Sequence, residues 1–188
     1  MAMCCGFRVA RQTEPTTWVA FLRAINVGGR NVTMAELRQV FEAAGYEGVA
    51  SFIASGNIVF RTAPDQDSME LESAIEGQVR AALGYEVLTF LRSPSELVGI
   101  ADAAYRDVDG SHQVGLLKQL PSPAARTAVL ALATDNDVIE VVGCEVHWLR
   151  HDTGASRLAN GNFERTLGMP ATFRSVTTLR KIAAKWGG

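Results

Sequence analysis

The stretch Leu-Arg-Ala-Ile-Asn-Val-Gly-Gly-Arg-Asn at residues 22–31 lies where a predicted strand runs into a predicted helix. The strand is the apolar run at residues 18–22, and the helix begins at Met34, where Thr33 and Glu36 form a capping box. A glycine turn and a helix cap do not by themselves require two arginines and two asparagines. We therefore expect this segment to serve function as well as to start the fold.

The pattern after this helix continues the same architecture. Strand-like runs at residues 49–53 and 58–60 flank the tight-turn sequence Ser55-Gly56-Asn57 and predict a hairpin. A second helix extends from the cap at Asp67 to Gly84, and residues 86–91 read as the next strand. The order β-α-β-β-α-β predicts a ferredoxin-like unit, with an antiparallel sheet and both helices on one face.

The remainder of the chain predicts a second α+β half. A third helix opens at residues 93–96, and a strand at 113–117 precedes an alanine-rich helix from Ser122 to about Ala133. A hairpin at 138–142 and 145–149 leads to a short helix, a brief strand and a last helix. We predict an α+β protein with a disordered tail over residues 1–15. A ferredoxin-like half at 16–92 then packs closely against a second, smaller half at 93–188. The sequence shows no repeat period.

Composition narrows the classes of protein. At 188 residues and 47% hydrophobic content the chain is long enough to bury a substantial core. It contains no apolar run of about eighteen residues, as a membrane span requires, and no apolar signal core at its start. We expect a cytoplasmic protein without a membrane partner.

The charges are unevenly distributed. The net charge is −2, but residues 1–40 carry +3, residues 148–188 carry +5 and residues 41–147 carry −10. The basic segments favour an anionic ligand bound on one face. The alternative is a protein with one basic and one acidic face that self-associates at low salt.

Arg23 is the strongest candidate binding residue. A cation at the end of the apolar strand must reach a partner or a wet cleft, which Asn26 and Asn57 would help to line. Gly28, Gly29 and Arg30 before the capped helix predict an anion site, because free N–H groups and a guanidinium would converge there. The alternatives are a simple glycine turn, and an arginine that is paired with a glutamate or extends to the surface.

Metal and catalytic sites are not indicated. Cys144, His147 and His151 have metal-like identities, but Cys144 and His147 would point to opposite faces of a strand. No nucleophile motif includes any of the three histidines, so we expect no metal and no cofactor and assign no catalytic residue. Whether the protein is an enzyme stays open, with a binding role favoured.

Three segments resemble an uncharacterised bacterial family, domain of unknown function family 1697. Residues 22–38 are similar to the opening motif, with Ala24 in place of a usual glycine, and residues 55–60 match a hairpin motif, with Ala54 in place of a usual glutamine. Residues 156–181 match a closing motif, in which Ser175-Val176-Thr177 replaces an expected Asn-Trp-Asn. The resemblance implies an α+β fold with ferredoxin-like elements, no established activity, and one polar surface that includes Arg174 and Lys181.

These observations favour a binding module for an anionic ligand, either nucleic acid or a phosphorylated metabolite, in an Arg/Asn-lined cleft of a monomer or weak homodimer. An enzyme of phosphoryl or acyl transfer using the same cleft, and a structural, self-associating protein, are the alternatives. The predicted ligand-binding residues are Arg23, Asn26, Gly28, Gly29, Arg30, Asn57, Arg174 and Lys181.

Overall fold

The first half of the chain forms a ferredoxin-like unit. The computed structural model describes residues 14–26, 29, 31–53, 56–103 and 109–187, so that residues 1–13 of the expected tail lie outside it. The elements of this half are β1 (Thr16–Leu22), α1 (Met34–Ala43), β2 (Glu47–Ser51), β3 (Asn57–Thr62), α2 (Ser68–Leu83), β4 (Thr89–Arg92) and α3 (Pro94–Ala103).

The first sheet has the expected topology. Its antiparallel strands lie in the order β2-β3-β1-β4, so β1 is central and pairs with both β3 and β4. Ala20 and Leu22 of β1 face α1 and α2, whereas Val19 and Phe21 face the opposite side. This strand order confirms the predicted ferredoxin-like unit.

The second half repeats this topology, although no repeat is visible in the sequence. Its elements are β5 (Ser111–Leu116), α4 (Pro123–Leu130), β6 (Asp137–Val142), β7 (Glu145–Arg150), α5 (Asn160–Leu167), β8 (Thr172–Ser175) and α6 (Val176–Trp186). The antiparallel order β6-β7-β5-β8 places β5 in the central position that β1 holds in the first sheet. Each half is therefore a β-α-β-β-α-β unit followed by one more helix.

Local sequence signals determine most helix ends. The capping box of Thr33 and Glu36 is present, and Asp67 accepts hydrogen bonds from the first turn of α2. Gly84 ends α2 in the left-handed conformation, with φ +79°. Several boundaries differ from the prediction by one to three residues; β2, for example, spans Glu47–Ser51 rather than residues 49–53. β4 begins at Thr89, because that residue pairs with Leu22 at the end of β1, and α4 ends at Leu130 rather than near residue 133.

The two halves meet along a shared core that we call the seam. α3 and α6 pack against each other, and α3 also contacts β1 while α6 contacts β5. The buried side chains of the seam come from both sheets and both helices, including Phe21, Val114, Leu97 and Leu179. The outer faces of the sheets are covered separately, by α1 and α2 in the first half and by α4 and α5 in the second. Within the described residues, no helix is both long and apolar enough to cross a bilayer.

Candidate functional site

Arg23 connects the two halves. It follows β1 directly, and its backbone N–H donates to the Leu88 carbonyl at 2.8 Å. Its Nη2 lies 2.8 Å from Oε2 of Glu164 on α5, and its side chain remains 38% exposed. Oε1 of Glu164 accepts from the Ala171 N–H at 2.9 Å, which holds the carboxylate at the start of β8. The cation therefore has both a partner and access to solvent.

Arg174, on β8 of the second half, reaches across the seam to the first half. Its Nε donates to Oδ1 of Asn57 at 2.8 Å, and its Nη2 donates to the Leu22 carbonyl at 2.9 Å. Its Nη1 donates to Oγ1 of Thr172 at 2.8 Å, and the guanidinium lies 5.6 Å from the centre of the Phe21 ring. Burial lowers the pKa of Arg174 to about 10, so the side chain stays charged at neutral pH. Arg174 thus binds the ends of β1 and β3 to β8.

The structure brings together Arg23, Asn57 and Arg174 but not all the predicted residues. Asn26 closes the loop before α1, because its amide exchanges two hydrogen bonds with the backbone of Val32, at 2.7 and 3.1 Å. Gly29 lies in that loop with φ +83°. Lys181 is exposed on α6, and it makes no hydrogen bond or ion pair within the described part of the chain. Gly28 and Arg30 lie outside the described residues.

Two residues beside this cluster have an unusual backbone. Ala24, next to Arg23, has φ +54°, and Ile53, in the turn before Asn57, has φ +50°. Such values are uncommon for alanine and rarer for a β-branched residue. Ile53 is also 53% exposed. Residues held in such conformations cluster at functional sites, where the surrounding structure imposes them.

A second polar cluster, which the sequence analysis missed, lies elsewhere on the seam. Nε of Arg92 donates to Oε1 of Glu145 at 2.9 Å, and these side chains are 8% and 15% exposed. Nζ of Lys118 lies 2.6 Å from Oε1 of Glu76 and 3.4 Å from Oε2 of Glu72. We call this cluster the acidic end of the seam, and the cluster of Arg23, Asn57, Glu164 and Arg174 its basic end.

The strand registers of the two sheets show that the basic end and the acidic end occupy equivalent positions in the two halves. Val19 of β1 lies opposite Arg92 of β4, and Val114 of β5 lies opposite Arg174 of β8. Aligning the sheets on these pairs gives each residue of the basic end an equivalent at the acidic end. The equivalent pairs are Arg174 and Arg92, Asn57 and Glu145, Leu22 and Leu117, Arg23 and Lys118, and Glu164 and Glu76.

The hydrogen bonds follow this equivalence. Nη2 of Arg174 donates to the Leu22 carbonyl at 2.9 Å, and Nη2 of Arg92 donates to the Leu117 carbonyl at 2.9 Å. Each half therefore contributes an arginine that binds the end of the central strand of the other half. The sequence carries a signal for this, because both arginines lie at the end of a short strand and directly precede the serine that caps α3 or α6.

Burial raises the pKa values of two carboxyl groups at the acidic end. It raises the pKa of Glu145, although Arg92 opposes the shift, and it also raises the pKa of Glu72 against the Leu91 N–H and Lys118. A cavity of about 320 Å³ beside them is lined by Trp18, Glu96 and Cys144 among others. The described residues contain no group of three or more His, Cys, Asp or Glu side chains placed to hold a metal ion.

Comparison with known proteins identifies the family but no activity. The sequence model described as "Protein of unknown function (DUF1697)" matches residues 16–147. The chain belongs to this family. A solved structure, that of the conserved bacterial protein SP0830 from Streptococcus pneumoniae, is similar to this DUF1697 chain with a TM-score of 0.72 and 22% identity. The match covers 93% of this chain and 100% of that one, and it shows a shared fold. No curated protein matches the chain.

The segment Ser175-Val176-Thr177, where the resemblance to the family implied an Asn-Trp-Asn, contains the cap and the first turn of α6. Ser175 caps the helix by accepting a hydrogen bond from the Thr178 N–H at 3.2 Å, and Val176 is buried in the seam. Ser175 and Val176 are therefore compatible with a capped helix that begins two residues after Arg174.

Proposed function

We propose that this protein is a binding module whose basic end takes an anionic ligand, either nucleic acid or a phosphorylated metabolite. The difference in charge between the two equivalent ends carries the proposal. Asn57 of the basic end occupies the position that Glu145 holds at the acidic end. On the helices, Asn160 precedes Glu164 by four residues, as Glu72 precedes Glu76, so Asn160 occupies the position of Glu72. The same architecture therefore has two fewer carboxylates at the basic end.

The charge count favours an anion at that end. Among the described residues, two cations and one carboxylate, Glu164, form the basic end, whereas two cations and three carboxylates form the acidic end. A surplus positive charge at a partly exposed site attracts an anionic ligand.

Arg23 is the residue best placed to meet the ligand. Its side chain is 38% exposed, and only its Nη2 is used by Glu164. The planar guanidinium can bind a phosphate or carboxylate through two parallel hydrogen bonds. Arg174 is half-buried and makes several hydrogen bonds to the chain, so it would position the ends of β1 and β3 and add its charge. The backbone conformations of Ala24 and Ile53 support a functional role for this region.

The first test compares Arg23→Gln with its equivalent, Lys118→Gln. Binding of labelled single-stranded RNA and DNA is measured by fluorescence anisotropy at about 50 and about 200 mM salt, and a set of phosphorylated metabolites is tested by thermal shift. A hydrogen-bonded charge pair contributes about 1.5–3 kcal/mol, so Arg23→Gln should weaken binding at least about tenfold, and Lys118→Gln should not. Equal losses in the two variants would contradict a site at the basic end.

A second variant makes the basic end resemble the acidic end. Asn160→Glu adds a carboxylate one helical turn from Glu164, as Glu72 precedes Glu76, and a glutamate is favourable at a helix N-terminus. We expect weaker anion binding and a change in folding stability below about 0.5 kcal/mol, because repulsion between the new carboxylate and Glu164 opposes the favourable helix-end interaction. Asn160→Gln should bind as the wild type does. Binding that Asn160→Glu leaves unchanged would contradict the electrostatic argument.

The same experiments address the alternatives. Turnover of a bound phosphorylated compound would indicate the transferase hypothesis in place of a pure binding role. The absence of any binding, together with a salt-dependent elution volume in gel filtration, would favour the self-associating protein.

A further inference from the structure

An exposed isoleucine with a left-handed backbone lies beside the basic end. Ile53 follows Phe52, whose N–H donates to the Asn57 carbonyl at 3.0 Å and whose carbonyl accepts from Nδ2 of Asn57 at 3.2 Å. Oδ1 of Asn57 in turn accepts from Arg174. Ile53 has φ +50° and is 53% exposed. It therefore lies next to the basic end without belonging to the core.

The second half has a glycine at the equivalent position. Asn57 and its equivalent, Glu145, each belong to the last cross-strand pair of a hairpin. The residue that follows the partner of Asn57 is Ile53, and the residue that follows the partner of Glu145 is Gly143, so these two are equivalent. Gly143 has φ +57°, close to the value of Ile53. Glycine adopts this conformation without strain, whereas a β-branched residue loses stability in it, so the fold itself does not require an isoleucine here.

Two aromatic rings extend this apolar surface from Ile53 to the end of α6. The rings of Phe52 and Trp186 are 5.7 Å apart and nearly perpendicular, at 87°. Both side chains are half-buried, and Nζ of Lys185 lies 4.4 Å from the centre of the Trp186 ring. We call Ile53, Phe52 and Trp186 the apolar strip. The strip thus has the basic end on one side and a lysine on the other.

The positive charge continues along α6. This helix contains three basic residues and no acidic one, whereas α3, its equivalent in the first half, contains two acidic residues and no basic one. The three basic residues are exposed, and they are Arg180, Lys181 and Lys185. α6 begins two residues after Arg174 and is about 16 Å long, so the basic surface is longer than one phosphate group.

We propose, on the basis of the anion site proposed above, that its ligand is single-stranded nucleic acid. The bases pack against Ile53 and Trp186, while the phosphates contact Arg23 and the lysines of α6. Proteins that bind single strands combine apolar and aromatic side chains, on which bases pack, with cations that follow the backbone. A bare phosphate or a sugar phosphate leaves the apolar strip unused, and a single nucleotide leaves the charge of α6 unused.

Fluorescence anisotropy at about 50 mM salt tests this assignment with two labelled probes. One is an oligothymidylate of about ten nucleotides, and the other is an abasic oligonucleotide of the same length and charge. The oligothymidylate should bind at least about tenfold more tightly, because packing even one base on an aromatic side chain changes affinity by that order. Free thymidine monophosphate should displace the oligothymidylate only at concentrations about a hundredfold higher than the unlabelled oligonucleotide requires.

Ile53→Gly is the deciding variant, because it introduces the residue of the second half. It should weaken oligothymidylate binding about fivefold through lost apolar contact and change binding of the abasic probe less than about twofold. Its melting temperature should not fall, because glycine relieves the backbone strain. The matched control is Leu120→Gly, which removes an apolar side chain that is 69% exposed and lies two residues after Lys118 of the acidic end. This control should bind the oligothymidylate as the wild type does.

Trp186→Leu should weaken oligothymidylate binding about tenfold, again with little effect on the abasic probe. Equal affinity for the two probes would overturn the assignment and leave the anion site in place, and so would displacement by the free nucleotide at the oligonucleotide's own concentration. A lower melting temperature of Ile53→Gly would show that the isoleucine serves the fold, which also overturns it. If neither oligonucleotide binds, the assignment fails, and the anion site then depends on the thermal-shift test with phosphorylated metabolites.

Discussion

Replacing Arg92 by methionine should remove one of the two equivalent arginines, Arg92 and Arg174, that bind the central strand of the other half. Arg92 donates to the carbonyls of Leu91, Leu117 and Cys144 at 2.7, 2.9 and 3.3 Å, and to Glu145 at 2.9 Å. Its side chain is 8% exposed and that of Glu145 is 15% exposed, so the carboxylate would stay buried without its cation. Removing one partner of a buried ion pair costs about 3–5 kcal/mol. A domain is stable by only about 5–15 kcal/mol, so this loss is large.

Urea denaturation at pH 7 measures the effect. With a slope of about 2–3 kcal/mol per molar urea for a chain of this size, the midpoint should fall by about 1–2 M in Arg92→Met. Glu145→Gln should lower the free energy of unfolding by only about 1–2 kcal/mol. The reason is that at the equivalent position of the basic end Arg174 donates to an amide, that of Asn57, so the fold tolerates an amide there. Adding Glu145→Gln to Arg92→Met should recover about 1–2 kcal/mol, since the buried charge is gone. A loss below about 1 kcal/mol in Arg92→Met, or strictly additive variants, would refute the reasoning.

Two further predictions concern packing and helix caps. A Cβ at Gly115 would lie 2.7 Å from ring atoms of Phe173, so Gly115→Ala should lower the free energy of unfolding by about 1–3 kcal/mol. In α2, a Cβ at Gly77 would meet nothing within 4 Å, so Gly77→Ala should raise the free energy of unfolding by about 0.5–1 kcal/mol. Thermal unfolding of both variants checks this, and equal effects would contradict the close contact. The Asp67 carboxylate accepts hydrogen bonds from the Met69 and Glu70 N–H groups at 2.9 and 3.0 Å. Asp67→Ala should therefore lower the free energy of unfolding, measured by urea denaturation, by about 1 kcal/mol, and Asp67→Asn should lower it clearly less. Identical losses in these two variants would show that the cap has no role.

Short-range signals predicted the elements of the first half. The capping box at Thr33 and the glycine at residue 84 determine helix ends through contacts within four residues of the chain, which a sequence displays directly. Alternating apolar residues in β1 place Val19 and Phe21 on one face and Ala20 and Leu22 on the other. The strand order then followed from the β-α-β-β-α-β pattern.

The candidate site was predictable only in part. The motifs indicated that Arg23, Asn57 and Arg174 share a surface, and these residues do lie together. The partner of Arg23 is 141 residues away along the chain, at Glu164, and no local pattern specifies a pair at that separation. The use of Arg174 to join the halves was equally hidden, because a sequence does not show whether a guanidinium meets a ligand or a backbone carbonyl.

By itself, the sequence determined the element types, the helix caps, the topology of the first half and the family, because these depend on contacts between near neighbours and on residue patterns. Only the tertiary structure decided that the second half repeats the first, that each half extends an arginine into the other, and that the two ends of the seam differ in charge. The physical reason is that strand register and burial depend on contacts between residues far apart in the chain. In such contacts Glu145 and its equivalent, Asn57, accept from a guanidinium in the same way, but only the glutamate neutralises the positive charge.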